Sequence, residues 1–311
     1  MAIIGRVYRP PLLVALLVLA APALAASPDA IRAEYAGVQR DLAHGDDGRP
    51  RDWKTAEAAR LIERAWRLVG ARAAAHLAAH AHTSAQHLEA AVNELNPPEA
   101  PSEPYDAMDA YLEKNPYHLF VNAARVADGD RGVYLMTAYF RKPLYDRRIE
   151  LFVIEGMASG PVHVTRAPYD GPCERFHPLS ATVSGHLRVL ASEEYSPIHG
   201  CTASGHVRFL EWDGRAVRTL LHREYHAGGN VWDVRVEGER VYVKSKGNTA
   251  VLFDCPCCSD IQATAKFRVG ADHVEDLGLE YAVPQIALID GFLDRALHRG
   301  NPSSFGTRIT T

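Results

Sequence analysis

Three of the five cysteines fall within four positions, in Asp254-Cys255-Pro256-Cys257-Cys258-Ser259-Asp260. Thiolates are soft donors and reactive nucleophiles, so this is where covalent or metal chemistry is first sought. Three readings compete. In an oxidising compartment the cluster forms disulfides, with Cys173 and Cys201 as partners on loops. A bridge from Cys201 to the cluster closes a loop of more than fifty residues. By the chain-entropy model such a closure contributes about 3–4 kcal/mol. Alternatively, Cys255, Cys257 and Cys258 bind zinc or copper, with His199 or Cys201 as the fourth ligand. No second C-x-x-C supports zinc, and C-x-C-C is not the C-x-x-C of dithiol redox sites, the third reading. The odd count leaves at least one cysteine free, metal-bound or intermolecular.

Histidine is abundant, at fifteen residues. His76 and His80 stand at i and i+4 and can share an ion on a helix. On one continuous helix His87 lies about 10 Å further along the axis, too far to join them. A solvated polar flank is the plainer reading of all three. His222-Arg223-Glu224-Tyr225-His226 only mimics H-E-x-x-H, because Arg holds the Glu position. It also falls where the pattern predicts strand or turn, and residues four apart on a strand are about 13 Å apart.

A short repeat carries the remaining candidates. Ser184-Gly185-His186-Leu187-Arg188-Val189-Leu190 recurs as Ser204-Gly205-His206-Val207-Arg208-Phe209-Leu210. On extended strands His186 and Arg188 share one face, and His206 and Arg208 share one face of theirs. Arg235, Lys244, Lys266 and Arg268 alternate with apolar neighbours in the same way. The pattern predicts a basic outer sheet face able to hold an anionic small molecule or glycan through carboxylate or phosphate. The plainer reading is a solvated face whose cations pair with nearby acids. Nucleophile-elbow, Walker, dinucleotide-binding and EF-hand signatures are all missing. A hydrolase without a recognisable motif would draw on Tyr195, His199, Glu224 and His226, from equivalent loops of the two repeats.

These residues need elements to position them. Residues 1–25 read as a secretory signal: Arg6 and Arg9, an apolar run Leu12–Ala21, then Ala23-Leu24-Ala25. The run is too short to span a bilayer, so a stable membrane anchor is not expected. Cleavage there moves the net charge from −4 to −6, which argues against nucleic acid as a partner. Residues 26–95 read as helical, with Ser27 as N-cap and Pro28 at the first helical position. Ile31, Tyr35, Val38 and Leu42 form one apolar stripe, and a second helical stretch from Asp52 to Leu95 has a possible break at Gly70. Residues 96–104 hold four prolines and read as a linker.

Period-two alternation takes over in residues 105–281, with about eleven strands expected at 118–126, 132–141, 148–155, 161–165, 186–190, 206–212, 216–221, 231–236, 240–244, 249–253 and 261–269 and no crossover helices. Their hairpin signals include Asp213-Gly214 and Glu237-Gly238-Glu239. Residues 282–299 read as a closing helix and 300–311 as a tail. The expected fold is α+β, predominantly antiparallel β, as sandwich or propeller-like sheet units with an internal duplication. The expected role is an exported, non-catalytic binding protein of the cell envelope or exterior, needing no cofactor. Thiolate binding of zinc or copper is the alternative.

Overall fold

A computed structural model describes residues 26–44, most of 52–97, residues 111–112, 115 and 117–127, and residues 131–140, 149–157, 162–169 and 174–179. It further describes 186–193, 205–225, 231–246 and 262–282, with Gln285 and Leu288. The expected signal segment, most of the proline-rich stretch, the strand expected at Thr249–Phe253 and most of the closing helix lie outside these residues.

Helix α1 (Pro28–Ala43) begins as its sequence predicts. Ser27 Oγ accepts from the Ala30 N–H at 3.2 Å, and Pro28 occupies the first turn, where a missing N–H costs nothing. The four stripe residues Ile31, Tyr35, Val38 and Leu42 are all buried. Helix α2 (Ala56–Ala79) is capped by Thr55, and helix α3 (Ala85–Asn93) by Ser84. The break therefore falls at His80–Ser84 and not at Gly70. Gly70 stays inside α2, where a Cβ would sit 3.3 Å from Val164 Cγ1, so its missing side chain lets the helix lie close on a sheet.

Twelve strands among the described residues form three four-stranded antiparallel sheets, each a simple meander. The first sheet holds β1 (Leu119–Ala127), β2 (Arg131–Phe140), β3 (Ile149–Met157) and β4 (His163–Tyr169). The second holds β5 (Glu174–Leu179), β6 (Leu187–Glu193), β7 (Gly205–Trp212) and β8 (Val217–Tyr225). The third holds β9 (Val231–Glu237), β10 (Arg240–Lys246), β11 (Gln262–Val269) and β12 (Val274–Tyr281). The overall class is α+β with antiparallel β predominant. Two strands, β5 and β12, were not expected from the sequence.

Alternation along the strands explains how these layers meet. Tyr134, Met136, Ala138, Phe140, Phe152 and Ile154 share a core with the helices, where Trp66 stacks on Phe140 at 4.4 Å between ring centroids. Their strand neighbours Val133, Leu135, Leu151 and Val153 turn to the opposite side. There they share a core with Phe176, Val189, Ala191, Leu210 and Trp212 of the second sheet. Leu179, Leu190, Val207 and Phe209 leave the far face of the second sheet and pack on Val241, Val243, Ala265 and Phe267 of the third. Phe209 meets Phe267 edge to face at 4.9 Å, an arrangement worth about 0.5–1.5 kcal/mol beyond its buried area.

The helical segment is joined to the first sheet by polar contacts as well as by the core. Asn96 mimics a strand neighbour: its Nδ2 donates to the Leu119 carbonyl at 2.9 Å and its Oδ1 accepts from the Leu119 N–H at 2.8 Å. Arg166 on β4 reaches both oxygens of Glu63 on α2, at 2.6 and 3.0 Å. That bidentate geometry fixes orientation more firmly than a single contact does.

Candidate functional site

The repeat residues do not form an outer face. β6 and β7 are adjacent antiparallel strands of the second sheet, with Arg188 opposite Glu211 and Arg208 opposite Ala191. Directly paired residues share a face, so Arg188 points toward the third sheet and Arg208 toward the first. Both are buried, because this sheet is covered on each side. The expected basic face of His186, Arg188, His206 and Arg208 is thus corrected at its two arginines: the alternation is present, but Arg188 and Arg208 face other protein layers. Arg208 lies over the Tyr169 ring at 5.4 Å. The side chain of His206 lies outside the described residues.

Arg188 is instead the centre of a buried clamp. Its Nε and one terminal nitrogen donate to Glu211 Oε2 at 2.8 and 2.7 Å. It also donates to the carbonyl oxygens of Gly270, at 2.5 Å, and Ala271, in the turn joining β11 and β12. Glu211 takes further contacts from Arg218 and from His186, whose Nδ1 stands 3.2 Å away. Burial by itself pushes the Glu211 pKa up, but the bonds from Arg188 and Arg218 outweigh it and hold the carboxyl below its ordinary value. A second inter-sheet pair, Arg223 on β8 with Asp276 on β12, lies on the same interface. The second sheet therefore spends its cations on cohesion.

The third sheet differs because, among the described residues, only one of its faces is covered. Val241, Val243, Ala265 and Phe267 point inward, and the alternate residues point out. On that outer face Tyr242 pairs across with Arg235 and Lys266, and Lys244 with Asp233 and Thr264. Together with Glu280 they line a depression of about 250 Å³. The Arg235 guanidinium lies 4.7 Å from the Tyr242 ring centroid, a cation–π contact that holds its planar fork flat. Arg235 pairs with Glu237 at 3.1 Å and Lys266 with Glu280 at 2.5 Å. Lys244 is exposed and makes no ion pair among the described residues. The four cations Arg235, Lys244, Lys266 and Arg268 expected on a sheet face do share this one.

A second concavity lies among the helices. A groove of about 710 Å³ is lined by Arg72, His76, His80, His82, His87 and Glu94, among others. His87 was expected to be too distant from His76. The break at His80–Ser84 reverses the chain, so α3 returns alongside α2 and brings His87 to the same groove. The signal in the sequence was Ser84, a good N-cap placed before Ala85. Among the described residues no three His, Cys, Asp or Glu side chains already converge as a metal site.

Cys173, Cys201, Cys255, Cys257, Cys258, His199, Tyr195 and His226 lie outside the described residues, as does the side chain of Glu224. No described helix is long and apolar enough to cross a membrane. Comparison with known protein families, curated proteins and solved structures finds no match.

Proposed function

We propose that this chain is an exported binding protein and that the outer face of the third sheet receives an anionic ligand, a glycan carboxylate or a phosphate. The reading is carried by one observation: a sheet face, uncovered among the described residues, on which Arg235, Lys244 and Lys266 surround Tyr242 in a shallow depression. Arg235, Lys244 and Lys266 line it with two acids, Asp233 and Glu280, while Glu237 pairs with Arg235 beside it. Lys244, which has no ion pair among the described residues, supplies charge without first breaking a bond. The stacked Arg235 fork is already oriented for a planar carboxylate, which reduces the entropy lost on binding. Export rests on residues 1–25, and the stacked sheets below the face supply a rigid base.

Retention of the mature protein on an immobilised polyuronate tests this reading. Salt-sensitive retention, absent on a neutral glucan and lost in Lys244→Ala/Lys266→Ala, is the expected result. Retention equal in the wild type and the double variant, or none on polyuronate and none on immobilised phosphate, rejects it. Arg188 and Arg208 are unsuitable targets for this test, because substitution at buried positions reports folding and not binding.

A further inference from the structure

The three-helix groove brings imidazoles together in a way that the sheet face does not use. His76, in the last turn of α2, and His80, its C-cap, have ring centroids 4.8 Å apart. Two imidazoles on one tetrahedral ion, each nitrogen about 2.0–2.1 Å from the metal, place their centroids about 5 Å apart. His80 is not helical (φ −138°, ψ 71°), yet its N–H still bonds the His76 carbonyl at 2.9 Å, so the two rings stay neighbours.

The His76 ring is held from behind. Its Nε2 lies 3.0 Å from Thr83 Oγ1, and the Thr83 carbonyl accepts from the Tyr134 hydroxyl at 2.7 Å on the first sheet. If Nε2–H donates to Thr83, the Nδ1 lone pair is free, the arrangement in which a second hydrogen bond orients a ligating histidine. Carboxylate competition is small. Glu94, the acid lining the groove, is engaged by Arg72 at 2.7 Å and by Arg32 at 3.0 Å. The available donors are therefore imidazoles, which select copper, zinc or nickel over magnesium or calcium.

We propose that the groove binds a borderline transition-metal dication, Cu²⁺ foremost, through His76 and His80, with water or a swing of His87 from α3 completing its shell. This site is independent of the sheet face and of the cysteines.

Titration of the mature protein with Cu²⁺, after its thiols are alkylated, tests the proposal. The expected result is one tight equivalent whose electron paramagnetic resonance shows coupling to at least two imidazole nitrogens. His80→Asn should weaken it at least tenfold, as should His76→Asn, while His163→Asn on β4 leaves it unchanged. Thr83→Val should weaken binding less than either. Full-strength binding in His76→Asn/His80→Asn, equal losses in all the histidine variants, or a spectrum without nitrogen coupling overturns the assignment. Far-ultraviolet circular dichroism of each variant confirms that the helices persist. A variant that unfolds is replaced by His80→Gln, for which retained copper counts against the site.

Discussion

The second and third sheets are built from the same kind of sequence and use it for opposite ends. In the second, His and Arg alternate with Val, Leu and Phe at period two, and in the third Arg and Lys alternate with Val, Ala and Phe. In the second sheet the charged residues are trapped between layers: Arg188 and Glu211 each retain only 2% of their side-chain exposure. In the third the corresponding residues are exposed, because no layer among the described residues covers them. Period two reports which residues share a face. It does not report what that face meets. A buried cation must be saturated with partners, whereas an exposed one is free to exchange water for a ligand.

The largest effect expected from this contrast is at Glu211. Glu211→Ala leaves Arg188 buried with no counter-charge, which costs about 3–5 kcal/mol in analogous pairs. Urea unfolding measures it. Arg188→Met/Glu211→Met should recover part of the loss, since no buried charge is then left unpaired, although the Gly270 and Ala271 carbonyls still lose their donor. A Glu211→Ala midpoint within error of the wild type breaks the comparison, because the pair would then be as dispensable as a surface contact.

Much of the fold was legible because local rules agree with the packing. The α1 stripe, the caps at Ser27 and Pro28, and the turns at Asp213-Gly214 and Gly238 all sit where the sequence places them. Gly214 and Gly238 adopt φ of 85° and 60°, a region where a Cβ is disfavoured. Strand β5 was hidden by Pro178, which reads as a breaker yet can sit in a strand where no ladder N–H is needed. Strand β12 was hidden by Glu275 and Asp276 and by Gly278, whose φ of 93° marks the irregularity opposite Lys266 and Phe267. The candidate site was legible only in part. Arg235, Lys244, Lys266 and Arg268 were found on one exposed face, but Arg188 and Arg208 were assigned the same environment. Only the stacking of a further layer on each side separates the two cases, and that is a long-range property no short window of sequence contains.

The next effect in size is acid sensitivity, which distinguishes regions by the group that titrates. Burial pushes the His118 pKa down to about 4. The unfolded chain takes up that proton near 6.5, so between the two values it binds more protons than the folded one. Stability should then fall as pH drops through that window, by about 3 kcal/mol in all. His76 and His177, lowered chiefly by burial, act in the same direction. Glu211 behaves differently. Its folded pKa is depressed, so its contribution is present above the ordinary carboxylate value and is lost only as pH falls through the folded one. Urea unfolding at about pH 7.5 and again at about pH 5 should therefore show a loss that shrinks in His118→Leu and persists in Arg188→Met/Glu211→Met. Equal wild-type stability at both pH values removes the His118 argument. A loss abolished in the Arg188/Glu211 variant places acid sensitivity in the inter-sheet clamp instead.

The smallest effect on folding is expected where the effect on binding is largest. Lys244 is exposed, has no ion pair among the described residues and contributes no buried area, so Lys244→Ala should change stability by no more than about 0.5 kcal/mol. Arg235→Lys is more discriminating, because it keeps the charge and removes the planar fork that rests on Tyr242. Exposed ion pairs such as Arg235–Glu237 contribute little, so its stability change should also stay within about 1 kcal/mol. If the face recognises a carboxylate through geometry, Arg235→Lys weakens polyuronate retention while leaving its salt dependence nearly unchanged. If the face acts only as diffuse charge, retention is unaltered by Arg235→Lys and falls with each cation removed, whichever one it is. The two outcomes separate a built site from a merely positive surface, a distinction that substitution of the buried Arg188 or Arg208 cannot make, because it disturbs the packing between layers.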